Sequence, residues 1–110
     1  MEAPLVGDIV VVMYPFSDLS GTKRRPALII SPQMGDDLLL CQITSRTGPN
    51  AYTIPLQDSD LADGKLQLDS YIRINKISTI EKGIIEYKMG KLKTQKTKAV
   101  LKEIQKLFDA

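Results

Sequence analysis

No histidine occurs anywhere in the chain, and that absence narrows the available chemistry. Histidine is the usual proton shuttle near neutral pH and the commonest ligand of transition metals. Without it a zinc site of the Cys/His kind is excluded, and so are Ser-His and Cys-His nucleophilic pairs. Chemistry must come from Arg, Lys, Thr, Ser, Tyr or carboxylates. One placement suits it well: Lys23-Arg24-Arg25 follows the turn Ser20-Gly21-Thr22 and is closed by Pro26. Pro26 restricts Arg25 to extended backbone, so its guanidinium has a rigid base and an exposed tip. A planar fork of this kind matches phosphate oxygens. A second basic group runs from Lys82 to Lys106, while Asp58, Asp60, Asp63 and Asp69 gather elsewhere, and the net charge is only +2. This segregation reads either as a solvated surface or as a basic face that attracts phosphate by counterion release.

The elements that would position these residues are strands first and one helix last. Ile9 to Tyr14 is a β-branched apolar run entered from Gly7-Asp8, hence a buried strand. Pro15 to Thr22 has turn chemistry, and a second strand runs from Pro26 to Ser31, with Pro at its entry. Leu38 to Thr44 is a third strand and Tyr52 to Ile54 a short fourth, with an acidic loop expected from Asp58 to Lys65. Leu66 to Ile77 marks a long strand or a pair. There Ile72 and Ile74 face the core and Tyr71, Arg73 and Asn75 the opposite side. Ile84 to Met89 is a last strand closed by Gly90. From Thr94 the period changes to that of a helix, capped by Thr94 or Thr97, with Val100, Leu101, Ile104, Leu107 and Phe108 as its apolar stripe. Many short strands and frequent turns in so short a chain predict a small closed or nearly closed β-barrel.

The 110 residues, 43% of them apolar, suit one domain over 1–110, of a size that often gains by pairing. No run approaches the roughly 18 apolar residues of a membrane span, and the N-terminal segment does not read as a signal peptide. The one cysteine, Cys41, lies inside an apolar strand and forms no intramolecular disulfide. A cytoplasmic protein without membrane contact is expected.

Three segments carry a resemblance. The stretch GDIVVVMYPFSDLSGTKRRPALIIS is similar to the opening of the MazF/PemK toxins, with its Gly-Asp-Ile, apolar strand, Gly/Ser loop and Arg-Pro. SYIRINKISTIEKG, from Ser70 to Gly83, resembles that family's later strand, and Gln42-Ile43-Thr44-Ser45 its third strand end. The resemblance implies an SH3-like barrel of five to seven strands with a C-terminal helix, and a homodimer. It also implies a type II toxin acting as a metal-independent, sequence-specific endoribonuclease on single-stranded RNA, without cofactor. A cognate antitoxin, expected to use a flexible acidic segment, would silence it. Arg25 matches the family's catalytic arginine before proline, Thr44 its hydroxyl residue, and Arg73 the catalytic arginine of the PemK branch. Asn75 stands where that branch has an aspartate, so a mechanism using that carboxylate as a base does not carry over.

The chemistry is coherent on general grounds. RNA brings its own nucleophile, the 2′-hydroxyl, so the protein must align it, stabilise a doubly charged phosphorane and handle two protons. Arg25 suits the second task, and Thr44 can bond a phosphate oxygen or the 2′-hydroxyl. Ser20, Lys23, Arg24, Ser45 and Arg46 are candidate RNA contacts, and Phe16 and Tyr52 can stack on bases or pack. Each has a plainer reading: Thr44 as a β-branched strand residue, Arg73 as the surface partner of Asp69 or Glu81. Two other functions fit the same pattern, a CcdB-like gyrase poison and a non-catalytic nucleic-acid-binding barrel. The absence of Trp and the ending Leu107-Phe108-Asp109-Ala110 set the chain apart from the former.

Overall fold

The computed structural model describes residues 3–15, 22–32, 35–46 and 48–109. They form seven strands and a terminal helix. The strands are β1 Asp8–Pro15, β2 Thr22–Pro32, β3 Asp37–Thr44, β4 Thr53–Leu56, β5 Leu61–Gly64, β6 Ser70–Glu81 and β7 Ile85–Leu92; the helix, α1, is Thr94–Lys106. All join one antiparallel sheet in the order β4-β6-β3-β2-β1-β7-β5. The sheet curls but keeps two free edges, β4 and β5, and is a half-barrel rather than a closed one.

Both faces of the curled sheet carry apolar clusters. On one, Ile9, Leu28, Cys41, Ile43, Ile72 and Leu92 pack together with Val100 and Ile104 of the helix. On the other, Val10, Val12, Ala27, Ile29, Leu40 and Ile80 pack beneath Ile84 and Ile85. Strand alternation explains the division, since neighbours along β1, β2 and β3 point to opposite faces. The second face changes character along its length. Ala27 pairs with Gln42 and Gln42 with Arg73, so the positions beyond the apolar cluster are polar.

Several boundaries differ from those expected. The second strand starts at Thr22, and Pro26 lies inside it paired to Val11, while the ladder to β3 begins only at Ala27. A proline that cannot donate is tolerated where only one flank is laddered. The expected acidic loop contains a 3-10 turn at Asp58–Asp60 and the edge strand β5, its polarity reflecting exposure. The last strand continues through Gly90 to Leu92. Neither Thr94 nor Thr97 caps the helix: Lys93 is the capping position, and Thr97 Oγ1 donates back to the Lys93 carbonyl at 3.3 Å. Phe108 lies past the helix end and is 76% exposed, so the apolar stripe stops at Leu107.

The Gly7-Asp8 pair ties three strands together. Gly7, at φ +93°, donates its N–H to Ile29 on β2 and accepts the N–H of Leu92 on β7, both at 2.9 Å. Asp8 Oδ2 accepts the N–H of Leu5 at 2.9 Å, and Oδ1 stands 3.3 Å from Lys88 Nζ. The motif is a clasp at the base of β1, with no reactive role in its geometry.

Candidate nucleic-acid interface

A cleft of about 510 Å³ opens at the strand ends. One wall is Arg24-Arg25-Pro26 of β2 with Thr44 and Ser45 at the end of β3. The opposite wall is Tyr87-Lys88-Met89 of β7, and the segment Lys65 to Leu68, with Ser70, closes the third side. Val11, Ile43, Leu66, Leu68 and Met89 give it an apolar lining. The charged lining residues, Arg24, Arg25, Lys65 and Lys88, are all cationic; no carboxylate lines the cleft among the described residues. Summed like charge on a low-dielectric wall raises the local concentration of anions.

Arg25 and Thr44 both line the cleft. The β2–β3 ladder ends at the pair Ala27–Gln42, and alternation puts Arg25 and Thr44, two residues beyond it on each strand, on the same face as that pair. Arg25 is half-buried, with its Nε out of solvent. Thr44 Oγ1 accepts the N–H of Arg46 at 3.1 Å, which fixes the hydroxyl oxygen and leaves its proton to donate. Arg24 is two-thirds exposed and lies 3.6 Å from Glu86 Oε2. Of the other sequence candidates, Ser45 lines the cleft, whereas Arg46 is exposed beside it and not in its lining.

Arg73 shares the face of Arg25 and Thr44, through its pairing with Gln42, but it does not line the cleft. Two strand spacings and two residues separate its backbone from that of Arg25, roughly 12 Å at ~4.8 Å and ~3.3 Å per step. The alternative partners for it, Asp69 and Glu81, make no ion pair with it among the described residues. Tyr52 is half exposed but outside the cleft lining. Ser20 and Phe16 lie outside the described residues, as does the side chain of Lys23.

Sequence reasoning missed the far walls. Tyr87, 53% exposed, lines the cleft, an aromatic residue that the expectation had not named beside Phe16 and Tyr52. Lys65, Gln67, Ser70 and Lys88 are also new. Lys88 was legible only as one of many C-terminal lysines. Its distinguishing partner, Asp8, lies at the other end of the chain, and no local pattern announces that pairing.

Cys41 is fully buried in β3, and burial pushes its thiol up to about 12. The thiolate is the reactive form, so this group takes no part in the cleft's chemistry. Among the described residues no three of His, Cys, Asp and Glu are grouped as metal ligands, and no helix is long and apolar enough to cross a membrane.

Comparison with known proteins agrees with this architecture. Comparison with curated protein sequences finds no match. Among solved structures, the MazE-MazF complex (Form-II) from Deinococcus radiodurans superposes with a TM-score of 0.78 at 17% identity, covering 96% of each chain. The Mycobacterium tuberculosis toxin MazF-mt6 gives 0.68 at 20% identity, over 91% of this chain and 96% of that one. An endoribonuclease in complex with its cognate antitoxin, from a mycobacterial species, gives 0.66 at 20% identity, over 94% and 88%. These likenesses establish the fold. The family model for the PemK-like, MazF-like toxins of type II toxin–antitoxin systems matches residues 6–108, and the chain belongs to that family.

Proposed function

We propose that residues 1–110 form a single toxin domain that cleaves single-stranded RNA by attack of the 2′-hydroxyl on the adjacent phosphate. The observation that carries this reading is the presence of both Arg25 and Thr44 in the lining of a cleft whose charged lining residues, among the described residues, are all cationic. In the reaction the 2′-oxygen forms a bond to phosphorus as the bond to the 5′-oxygen breaks. A 2′,3′-cyclic phosphate and a 5′-hydroxyl result. The Arg25 guanidinium holds the non-bridging oxygens as their charge grows, and a donor so placed supplies about 3–4 kcal/mol of the barrier. Thr44, its oxygen fixed by Arg46, donates to the phosphate or orients the 2′-hydroxyl. Lys65 and Lys88 take flanking phosphates, Arg73 one further along the face, and Tyr87 offers a ring for a base to stack on.

The same reading takes the active form as a two-fold homodimer and the regulator as a cognate antitoxin, since similar structures are described as complexes with one. The decisive experiment incubates the pure protein with a defined single-stranded RNA in EDTA and maps the product ends. Cyclic-phosphate and 5′-hydroxyl ends at a recurring sequence are expected. Intact RNA, or cleavage that depends on added magnesium, overturns the reading.

A further inference from the structure

The third side of the cleft is the segment Lys65 to Leu68, and its backbone is held at two points. The Leu66 N–H donates to Asp58 Oδ1 at 2.8 Å, across eight residues of chain. Ser70, only 8% exposed, donates its Oγ–H to the Leu68 carbonyl at 2.9 Å. The 3-10 turn that carries Asp58 is in turn fastened to the start of the helix. There the Lys93 N–H donates to the Asp60 carbonyl at 2.9 Å, and Lys96 Nζ lies 3.5 Å from Asp60 Oδ2. Gln67 sits between the two tethers. It is exposed and lines the cleft, and no hydrogen bond engages its side-chain amide among the described residues.

A fixed backbone that bears an uncommitted amide suits recognition, because little ordering remains to be imposed when a partner arrives. The rest of the lining divides by chemistry. Arg24, Arg25, Lys65 and Lys88 suit phosphates, and such contacts carry no sequence information. The Tyr87 ring can stack on any base. The Thr44 oxygen already accepts the Arg46 N–H, and the Ser70 hydroxyl proton is committed to Leu68. Gln67 is the only carboxamide of the lining among the described residues. A carboxamide presents a donor and an acceptor side by side in one plane. That pair matches N7 and the N6 amino group of adenine, an edge that single-stranded RNA leaves accessible. Guanine offers two acceptors at the same edge, and pyrimidines have no N7.

We propose that Gln67 is a specificity-determining residue of the cleft, its amide pairing with the edge of one adenine in single-stranded RNA, and that Asp58 is the positioning residue that holds it in place. This rests on the reading of the cleft as an RNA site, and adds to it the base selected and the side chain that selects it.

The test uses the full chain and a randomised single-stranded RNA pool carrying 2′-fluoro in place of every 2′-hydroxyl, which lacks the nucleophile and stays intact. Bound molecules are sequenced for the parent, Gln67→Leu, Asp58→Ala and Asp58→Asn. The parent should enrich adenine at one position by roughly tenfold, and Gln67→Leu should lose the enrichment at that position alone. Asp58→Ala should weaken the same enrichment. Asp58→Asn should restore most of it, because its side-chain oxygen still accepts the Leu66 N–H. A general loss of folding would lower the affinity for the whole pool instead of the preference at one position. No adenine preference in the parent, an unchanged preference in Gln67→Leu, or equal loss in Asp58→Ala and Asp58→Asn overturns the inference. None of these readouts needs cleavage. A parent that selects adenine but leaves ordinary RNA intact sinks the nuclease reading alone, and a parent that cleaves with a site map unaltered by Gln67→Leu sinks this inference alone.

Discussion

Lys88 Nζ stands 3.3 Å from the carboxylate of Asp8, which is only 5% exposed, so a residue of the cleft wall is held by the first strand of the sheet. Removing either partner has different consequences. Lys88→Ala leaves a buried carboxylate that keeps, among the described residues, the Leu5 N–H as partner, and Lys88 is itself over a third exposed, which weakens the loss. A drop of about 1–2 kcal/mol is expected, read as a lower thermal midpoint. Asp8→Asn keeps the shape and the Leu5 bond, so it should leave stability closer to the parent's and release Lys88 to move. RNA affinity measured on both variants should fall more for Lys88→Ala.

On the proposed function, Arg25→Ala should reduce RNA cleavage by roughly 10²–10³ with the mass of the particle in solution unchanged. Because Arg25 is half-buried, a modest loss in thermal midpoint should accompany it. Arg25→Lys should restore only part of the rate, because a point charge lacks the bidentate fork. Near-parental cleavage by Arg25→Ala would remove this residue from the mechanism.

Lys65 is the rim cation whose loss disturbs no ion pair found among the described residues. Lys65→Gln should weaken binding to single-stranded RNA without regard to sequence. The slope of log affinity against log salt should become shallower by about 0.7. An unchanged slope would place Lys65 away from the phosphate track.

Burial that holds the Cys41 thiol up to about 12, against an ordinary 9.0, has a sign that can be checked. Above pH 9 the unfolded chain loses this proton while the folded chain keeps it, so the unfolded state binds fewer protons and stability falls as pH rises. The contribution is absent below pH 9 and grows toward pH 12. Denaturation of the parent and of Cys41→Ala should diverge in that window, with the parent's stability falling more steeply. Below it the offset should be constant. A thiol reagent at pH 8 should label the parent only as it unfolds.

Gly64→Ala should be costly. The position has φ +85°, a region that costs an L-residue about 1–2 kcal/mol, and the added methyl meets the Met89 carbonyl. The thermal midpoint should fall by several degrees or more. Gly35→Ala, also at positive φ but in open space, should cost less.

Much of the fold was legible because burial here is periodic. β1, β3 and β6 announce themselves by β-branched runs and alternation, and the helix by its 3.6-residue stripe. Elements whose side chains face water were not: β5, Leu-Ala-Asp-Gly, has one buried residue and reads as loop. Part of the cleft lining was legible too. Arg25 and Thr44 lie in segments with local signatures, a basic turn closed by proline and a hydroxyl at a strand end. Lys65, Tyr87 and Lys88 are defined by what the topology brings beside them, through β1–β7 and β5–β7 pairings that join distant parts of the chain. No window of sequence contains that information.

The sheet order also dictates when the cleft can exist. Its β2–β3 wall is complete by Ser45, but the facing wall is contributed by Tyr87 to Met89, which must pair with β1 from the start of the chain. Such long-range pairing forms late and slowly. A nascent chain still on the ribosome carries Arg25 and Thr44 early yet has no enclosed groove until β7 has emerged. On the proposed function, fragments ending before Tyr87 should therefore show no RNA cleavage even though they carry both Arg25 and Thr44.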